Sequence, residues 1–321
     1  MQVAAFTEIT VQEIRRASER IRPIAHRTPV MTARTFNTEA GMNVFFKCEN
    51  FQRGGSFKIR GARNFLASLP SDTLARGVVA YSSGNHAQAV AIAAEAAGVP
   101  ATLIMPSDAP RSKVEATRAR GANILQYDRF SEDREAIGRR VAEETGAALV
   151  PPFDHPWIIA GAGTAALELL EEQPDLDAIV VCIGGGGLIS GSAIAAKAHN
   201  PGIRIFGVEP TDANDTHLSL RAGDRVEIPA PATIADGLRA PKPGAITFPI
   251  VQRLVEDIVL VTDDEIRAAM KFLMMRLKIV VEPSGAVSAA ALLFRKLPAG
   301  IRSAGAILSG GNVDYEVLAS L

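Results

Sequence analysis

The sequence predicts an α/β protein whose strands form open, mainly parallel sheets flanked by helices. Three observations predict it. Short apolar runs rich in β-branched residues alternate with Ala-rich stretches of helical pattern, the signature of repeated βα units. Strand ends are repeatedly followed by Ser, Gly or Pro and then a helix, which gathers polar loops at the carboxyl ends of strands, where open α/β sheets place their ligands. A chain of 321 residues with 47% hydrophobic and 21% charged content can also bury the large core that such sheets need.

In chain order, "MQVAAFTEITVQEIRRASERI" breaks its short apolar run at Glu8 and becomes a charged helical pattern, so it reads as neither a signal peptide nor an anchor. "GGSFKIRGA" (54–62) sets Lys58 between Phe57 and Ile59, behind two glycines. That lysine is either a snorkelling surface residue or an amine that loses water on packing, whose pKa would fall toward the range of a base or nucleophile. The runs "GVVAYSS" before "HAQAVAIAAEAAG" and "ATLIMP" before "SKVEATRARG" give two βα units. "VPPFDHPW" (150–157) reads as a return crossing, dividing the chain into a large domain of residues 1–69 and 153–321 and a small mobile domain of residues 70–152. "AIVVCIGGGGLISG" then places Gly184, Gly185, Gly186 and Gly187 directly between a strand and a helix. Four contiguous glycines are entropically expensive, and backbone N–H groups unshielded by Cβ atoms suit an anion, so this loop reads as a phosphate site. No Gly-Lys-Ser/Thr follows, and the glycines are contiguous, so a phosphorylated small cofactor fits better than ATP or NAD. "YSSGNHAQA" (81–89) and "AILSGGNVD" (306–314) repeat the turn, and "RIFGVEP" supplies a further strand. The Pro-rich stretch 228–244 reads as an ordered loop.

The 34 basic and 35 acidic residues nearly cancel, and no basic-aromatic stripe argues for nucleic acid. Cys48 and Cys182 lack metal-ligand spacing and fit a reducing compartment, and no apolar run approaches a membrane span. A cytoplasmic protein is expected, with a small molecule as partner and neither nucleic acid nor membrane.

Taken together, "SFKIRGA", "SSGNHAQA", "GGGGLISG", "GVEPTDAND" and "LSGGNVD" resemble, in order and spacing, the pyridoxal-phosphate enzymes of fold type II, of tryptophan synthase β-like architecture. Within that group the sequence is similar to the serine racemase, serine/threonine dehydratase and 3-hydroxyaspartate dehydratase subgroup, from "RTPV" (27–30) nearly to the end. The resemblance implies that Lys58 is the Schiff-base lysine, that Phe57 and Asn85 border the cofactor ring, and that Gly184 to Gly187 with Leu188 wrap its phosphate. Ser309 resembles the residue facing the pyridine nitrogen; a hydroxyl there would leave the nitrogen unprotonated and the ring a weaker electron sink, which favours elimination. Ser82, Ser83, Gly84, Asn85 and His86 resemble the loop that receives the substrate carboxylate, with His86 a structural residue of the turn. "GVEPTDAND" matches the subgroup's divalent-cation site, with Glu209, Asp215 and the Ala213 carbonyl as oxygen ligands for Mg2+, or Ca2+ or Mn2+.

The activity implied is removal of water from a β-hydroxy amino acid (3-hydroxyaspartate, serine or threonine) to give a 2-oxo acid and ammonia, in a homodimer. The alternative is a serine racemase with dehydratase side activity: the chain reads Ser-Ser-Gly-Asn, as serine racemases do, where many threonine dehydratases read Ser-Ala-Gly-Asn, and Ser83 could return the proton from the face opposite Lys58. No C-terminal regulatory domain is expected after "LSGGNVD". Arg239 is the first candidate to bind a distal substrate carboxylate, and Arg134 the second. A non-catalytic amino-acid or phosphate sensor remains as a reading of the glycine loops, and an oxidoreductase with a different cofactor as a reading of the α/β sheet.

Overall fold

In the computed structural model, which describes residues 9–82, 84–109, 111–128 and 130–321, the strands separate into two sheets. Helix α1 (Val11–Ile21) buries Ile14, Ala17 and Ile21, spaced at one helical face. Strand β1 (Val30–Met31), helix α2 (Arg34–Ala40) and strand β2 (Asn43–Cys48) follow, β1 pairing antiparallel to β2. Helices α3 (Lys58–Ser68) and α4 (Ser71–Ala75) lead into the smaller sheet. Its βα series is β3 (Val78–Tyr81), α5 (Asn85–Ala97), β4 (Ala101–Pro106), α6 (Arg111–Arg118), β5 (Asn123–Tyr127), α7 (Arg134–Thr145) and β6 (Ala148–Leu149). These four strands run parallel in the order β5-β4-β3-β6.

The chain then returns through helix α8 (Pro156–Glu172), strand β7 (Ala178–Cys182), helix α9 (Gly187–His199), strand β8 (Arg204–Pro210) and helices α10 (Asp215–Ala222) and α11 (Thr247–Leu254). Strand β9 (Asp257–Val261), helices α12 (Asp263–Phe272) and α13 (Pro283–Leu293), strand β10 (Ser303–Leu308) and helix α14 (Tyr315–Ala319) complete it. The six-stranded sheet has the order β1-β2-β10-β7-β8-β9, with every pairing after the first parallel. All five residues of β7 are buried, because this central strand is covered on both faces. Gly305 in β10 lets α8 ride directly on the sheet: a Cβ there would sit 2.7 Å from Leu169 and from Leu176.

Helix α8 is apolar nearly all round and buried along most of its length, with Pro156 at its first position. The Pro-rich stretch is tied down by hydrogen bonds from Ile228 N to Pro241 O and from Ile234 N to Asp263. One departure from the expected regularity is a π-helical turn, Leu273–Leu277, after α12, closed by Lys278 at φ 63°. No helix among the described residues is long and apolar enough to cross a membrane.

Candidate active site

Lys58 is the first residue of α3, and the chain leading into it is stitched to the loop after β10. Ser56 bridges Gly310, and Phe57 N donates to Ser309 O at 3.0 Å, so the lysine segment and the Ser-Gly-Gly turn, some 250 residues apart, share one wall. Lys58 Nζ is half-buried, donates to Pro152 O at 2.7 Å and stands 5.2 Å from the centre of the Phe57 ring. Burial lowers its pKa to about 8, against the opposing pull of Cys182 and Glu282. Ser309 is buried beside the Cys182 thiol, whose pKa burial raises to about 11.

The glycine run follows β7 and ends as the first turn of α9. Its lack of Cβ atoms is required: one on Gly185 would fall 2.3 Å from the Phe153 ring, and one on Gly186, at φ 91°, would fall 2.8 Å from Thr247 Oγ1. Thr247 Oγ1 in turn donates to Gly185 O at 2.7 Å. Asp154 accepts the backbone N–H groups of Ala245, Ile246 and Thr247, fixing the start of α11 against the run. Leu188 is buried.

The turn after β3 brings Asn85 to the same place. Asn85 Nδ2 donates to Glu282 Oε1 at 2.7 Å, and its Oδ1 accepts from Asn312 Nδ2 at 2.8 Å. Asn312 Nδ2 also donates to Gly54 O at 2.7 Å, so the two side-chain amides of Asn85 and Asn312 join four distant segments. Ser82 Oγ accepts from Gly84 N at 3.2 Å, while Ser83 lies outside the described residues. His86 is buried with Nε2 3.0 Å from Val150 O, and because a carbonyl only accepts, that nitrogen carries the proton. Burial, and next the charge of Lys58, push its pKa down to about 3, which leaves the ring neutral.

Glu209, next to last in β8, is fully buried and accepts the N–H groups of Thr216 and His217, at 3.1 and 2.8 Å, in the first turn of α10. Asp215 is equally buried, and neither of its oxygens has a partner at hydrogen-bonding geometry among the described residues. Burial raises its pKa to about 7; burial, and next the Asp215 charge, raise that of Glu209 well above the carboxylate range. Ala213, between them in sequence, is buried too. No group of three or more His, Cys, Asp and Glu side chains converges among the described residues, so a cation here would need backbone or water oxygens beside the two carboxylates. Arg239 is exposed and turns back on its own loop, giving Nε to Thr233 O at 2.8 Å. Arg134 stands 5.9 Å from the centre of the Tyr81 ring, at the end of the strand that leads into Ser82.

The model of the pyridoxal-phosphate dependent enzymes matches residues 21–310. The chain belongs to this family. Over 312 residues it is 50% identical to the L-threo-3-hydroxyaspartate ammonia-lyase of Saccharomyces cerevisiae, covering 97% of this chain and 96% of that one. It is 48% identical to the serine racemase of Schizosaccharomyces pombe, over 96% and 95% of the two chains. The structure of maize serine racemase superposes with a TM-score of 0.93 at 47% identity, covering 97% of this chain and 96% of that one. The protein is therefore a fold-type II pyridoxal-phosphate enzyme.

The residues present fit that cofactor. A desolvated amine, a glycine run whose backbone stays bare because Cβ atoms on Gly185 and Gly186 would collide with Phe153 and Thr247, and the first turn of α9 provide for an aldehyde and a phosphate. Sequence reasoning missed Glu282, Asn312 and the backing side chains Phe153, Asp154 and Thr247. Glu282 carried a signal, a carboxylate between the apolar run "IVV" and a proline that opens a helix. Phe153 and Thr247 carried none, since their role is to back a loop far away in sequence.

Proposed function

We propose that this enzyme is an ammonia-lyase that removes water from a β-hydroxy amino acid, with 3-hydroxyaspartate, serine and threonine as the substrate class, giving a 2-oxo acid and ammonia. The observation that carries the reading is the joint wall of Lys58 and Ser309: the residue beside the lysine segment is a hydroxyl and not a carboxylate. Pyridoxal phosphate, when bound, withdraws electrons from the substrate Cα and loosens its proton. Gly184 to Gly187 and Leu188 would hold its phosphate, Phe57 and Asn85 would border its ring, and Ser309 would offer the ring nitrogen a hydroxyl in place of an acid.

Lys58 removes the Cα proton. Its lowered pKa leaves a larger fraction of neutral amine near pH 8 than an ordinary lysine has, and Pro152 O orients the nitrogen. Ser82, Gly84, Asn85 and His86 receive the substrate carboxylate, His86 as a neutral N–H donor to Val150 that shapes the turn. Ser83 serves as a proton donor on the opposite face, which supports the second reading, a serine racemase with dehydratase side activity. Glu209, Asp215 and the Ala213 carbonyl would hold Mg2+, or Ca2+ or Mn2+. For a distal carboxylate, Arg239 would have to leave the Thr233 carbonyl, whereas Arg134 already stands at the strand end that leads to the carboxylate loop. We further propose a cytoplasmic homodimer in which residues 70–152 form a small mobile domain, closing through the Asn85 contacts to Glu282 and Asn312.

The test is a panel of L- and D-serine, L-threonine and the four 3-hydroxyaspartates, scored for ammonia and for inversion at Cα. Ammonia from at least one of them, faster than inversion, is expected. Inversion of serine outpacing ammonia from every substrate would replace the main reading with the second.

A further inference from the structure

Two residues beyond Lys58, Arg60 enters a buried cluster of two cations and two carboxylates. Its side chain is fully buried, and every guanidinium nitrogen is engaged. Nε and Nη2 meet Glu49 at 2.7 and 2.8 Å; Nη1 and Nη2 meet Glu168 at 2.8 Å each; Thr164 Oγ1 and His26 O accept at 3.1 and 3.2 Å. Lys47 Nζ, also fully buried, joins Glu168 at 2.8 Å and Thr28 O at 2.6 Å, and Thr28 Oγ1 donates to Glu49 at 2.6 Å. Two cations and two carboxylates balance. Glu49 follows β2, Glu168 belongs to α8, and Arg60 therefore clamps the first turn of α3 to both.

A second, independent observation concerns the backbones. Helix α3 lies on α8 with no room for a side chain between them: a Cβ on Gly161 would fall 2.5 Å from Arg60 O, and one on Gly61 would fall 3.1 Å from Ile158 O. Helix α8 lies on α9 in the same manner, a Cβ on Gly163 falling 2.7 Å from Gly191 O. Lys58 begins α3, and the glycine cradle begins α9. The loop that enters α8 supplies Pro152 O to Lys58 and Phe153 to the cradle.

We propose that Arg60 is a positioning residue for the reaction: clamped by Glu49 and Glu168, it locks α3 on α8 and so fixes Lys58 Nζ relative to the glycine cradle at the head of α9. The inference rests on the reading of Lys58 as the cofactor lysine. Arg60 touches neither substrate nor cofactor in this scheme. It acts through the helix it anchors, and lysine in its place would keep the charge but not the fork that grips two carboxylates at once.

The experiment compares wild type with Arg60→Lys and with the charge-neutral pair Arg60→Met/Glu49→Gln, which leaves Lys47 and Glu168 to balance each other. Borohydride reduction of the wild-type holoenzyme, followed by peptide mass spectrometry, first locates the cofactor lysine; a label anywhere but Lys58 defeats that reading itself. Competitive acetylation of the cofactor-free full chain with acetic anhydride then gives the pH midpoint of Lys58, the charged and titratable neighbours that face it being Cys182, Glu282 and His86. In the double variant kcat falls by about ten- to a hundred-fold with KM moved by less than about three-fold, as expected of a misplaced reacting group. The acetylation midpoint rises toward the ordinary lysine value of about 10.4, and Arg60→Lys lies between the two. A folded double variant with wild-type midpoint and kcat, whatever its melting temperature, overturns the proposal. If the double variant does not fold, Arg60→Lys decides: an unchanged midpoint overturns it and a raised one supports it.

Discussion

Two clusters of buried charge in this enzyme are built on opposite terms. Around Arg60, two cations and two carboxylates satisfy one another at distances of 2.7 to 2.8 Å, so the cluster needs nothing from outside. Where β8 meets α10, Glu209 and Asp215 are buried together; Glu209 is met by two backbone N–H groups, and Asp215 by no hydrogen bond among the described residues. Their pKa values show the consequence. Burial alone would push the Glu168 carboxyl up, but Arg60 and Lys47 outweigh it and hold the group below the usual range, whereas Asp215 is driven up to about 7. A balanced cluster is scaffold, and an unbalanced one calls for a proton or a cation.

The sharpest way to break this comparison is to remove one negative charge from each cluster. Glu168→Gln leaves Lys47 and Arg60 with Glu49 as their one fully buried carboxylate and the part-exposed Glu172 at 3.9 Å from Lys47, and an uncompensated buried charge costs about 3–5 kcal/mol. Asp215→Asn removes a repulsion instead, and in the presence of a chelator at pH 8 it is expected to leave stability unchanged or raise it. Urea unfolding of both variants measures this. If the two substitutions destabilise equally, the acidic pair has an internal counter-charge and the contrast fails.

The same contrast explains what could be read from the sequence. The βα alternation, the glycine run and Lys58 are local: each declares itself within about ten residues, through periodicity, through a missing Cβ or through an amine flanked by Phe57 and Ile59. Glu209 and Asp215 also lie within one short stretch, "GVEPTDAND", and the resemblance to a known family drew attention to them. Arg60 stood inside the motif quoted for Lys58, yet nothing near it in sequence shows that its partners are Glu49 and Glu168. Asn85, Glu282 and Asn312 are hidden in the same way, because a hydrogen bond between residues 85 and 282 leaves no periodic trace. Arg239 is read in the opposite direction: its loop suggested a substrate contact, and the bond its guanidinium makes to Thr233 O could not be foreseen from the residues around it.

Metal removal sharpens the acidic half of the comparison. A cation that binds only the folded enzyme stabilises it by about 2.7 kcal/mol at a hundred times its Kd, so EDTA should lower the melting temperature, and Mg2+ should restore it in wild type but not in Asp215→Asn. The pH dependence has a definite sign. Asp215 has a folded pKa raised above its unfolded value, so in EDTA its contribution is fully present below about pH 3.9 and is lost as pH rises through about 7. Glu168, with its folded pKa lowered, contributes above its unfolded pKa of about 4.3, and loses that contribution only as pH falls below it. Melting temperatures across pH 5 to 8 should therefore fall in EDTA and flatten in Mg2+. A profile identical in both would mean that no cation binds Asp215.

The smallest effect is expected at the outer edge of the balanced cluster. Arg27 reaches Glu171 at 2.7 Å and Glu172 at 3.4 Å, and Glu172 stands 3.9 Å from Lys47, so a chain of charges runs from the surface to Arg60. Side-chain exposure separates its two ends: 54% for Arg27, and none for Lys47. Water and salt screen the outer pair, so Arg27→Ala should cost no more than about 1 kcal/mol, and less still in 1 M NaCl, where the Debye length is only about 3 Å. Glu168→Gln should lose nearly the same stability at both salt concentrations, because its partners lie out of reach of the counter-ions. Unfolding of the two variants at low and high salt tests the boundary. A salt-insensitive loss at Arg27 comparable to that of Glu168→Gln would show that the cluster acts as one unit to its rim, and the anchor of α3 would then have to be drawn out to the surface.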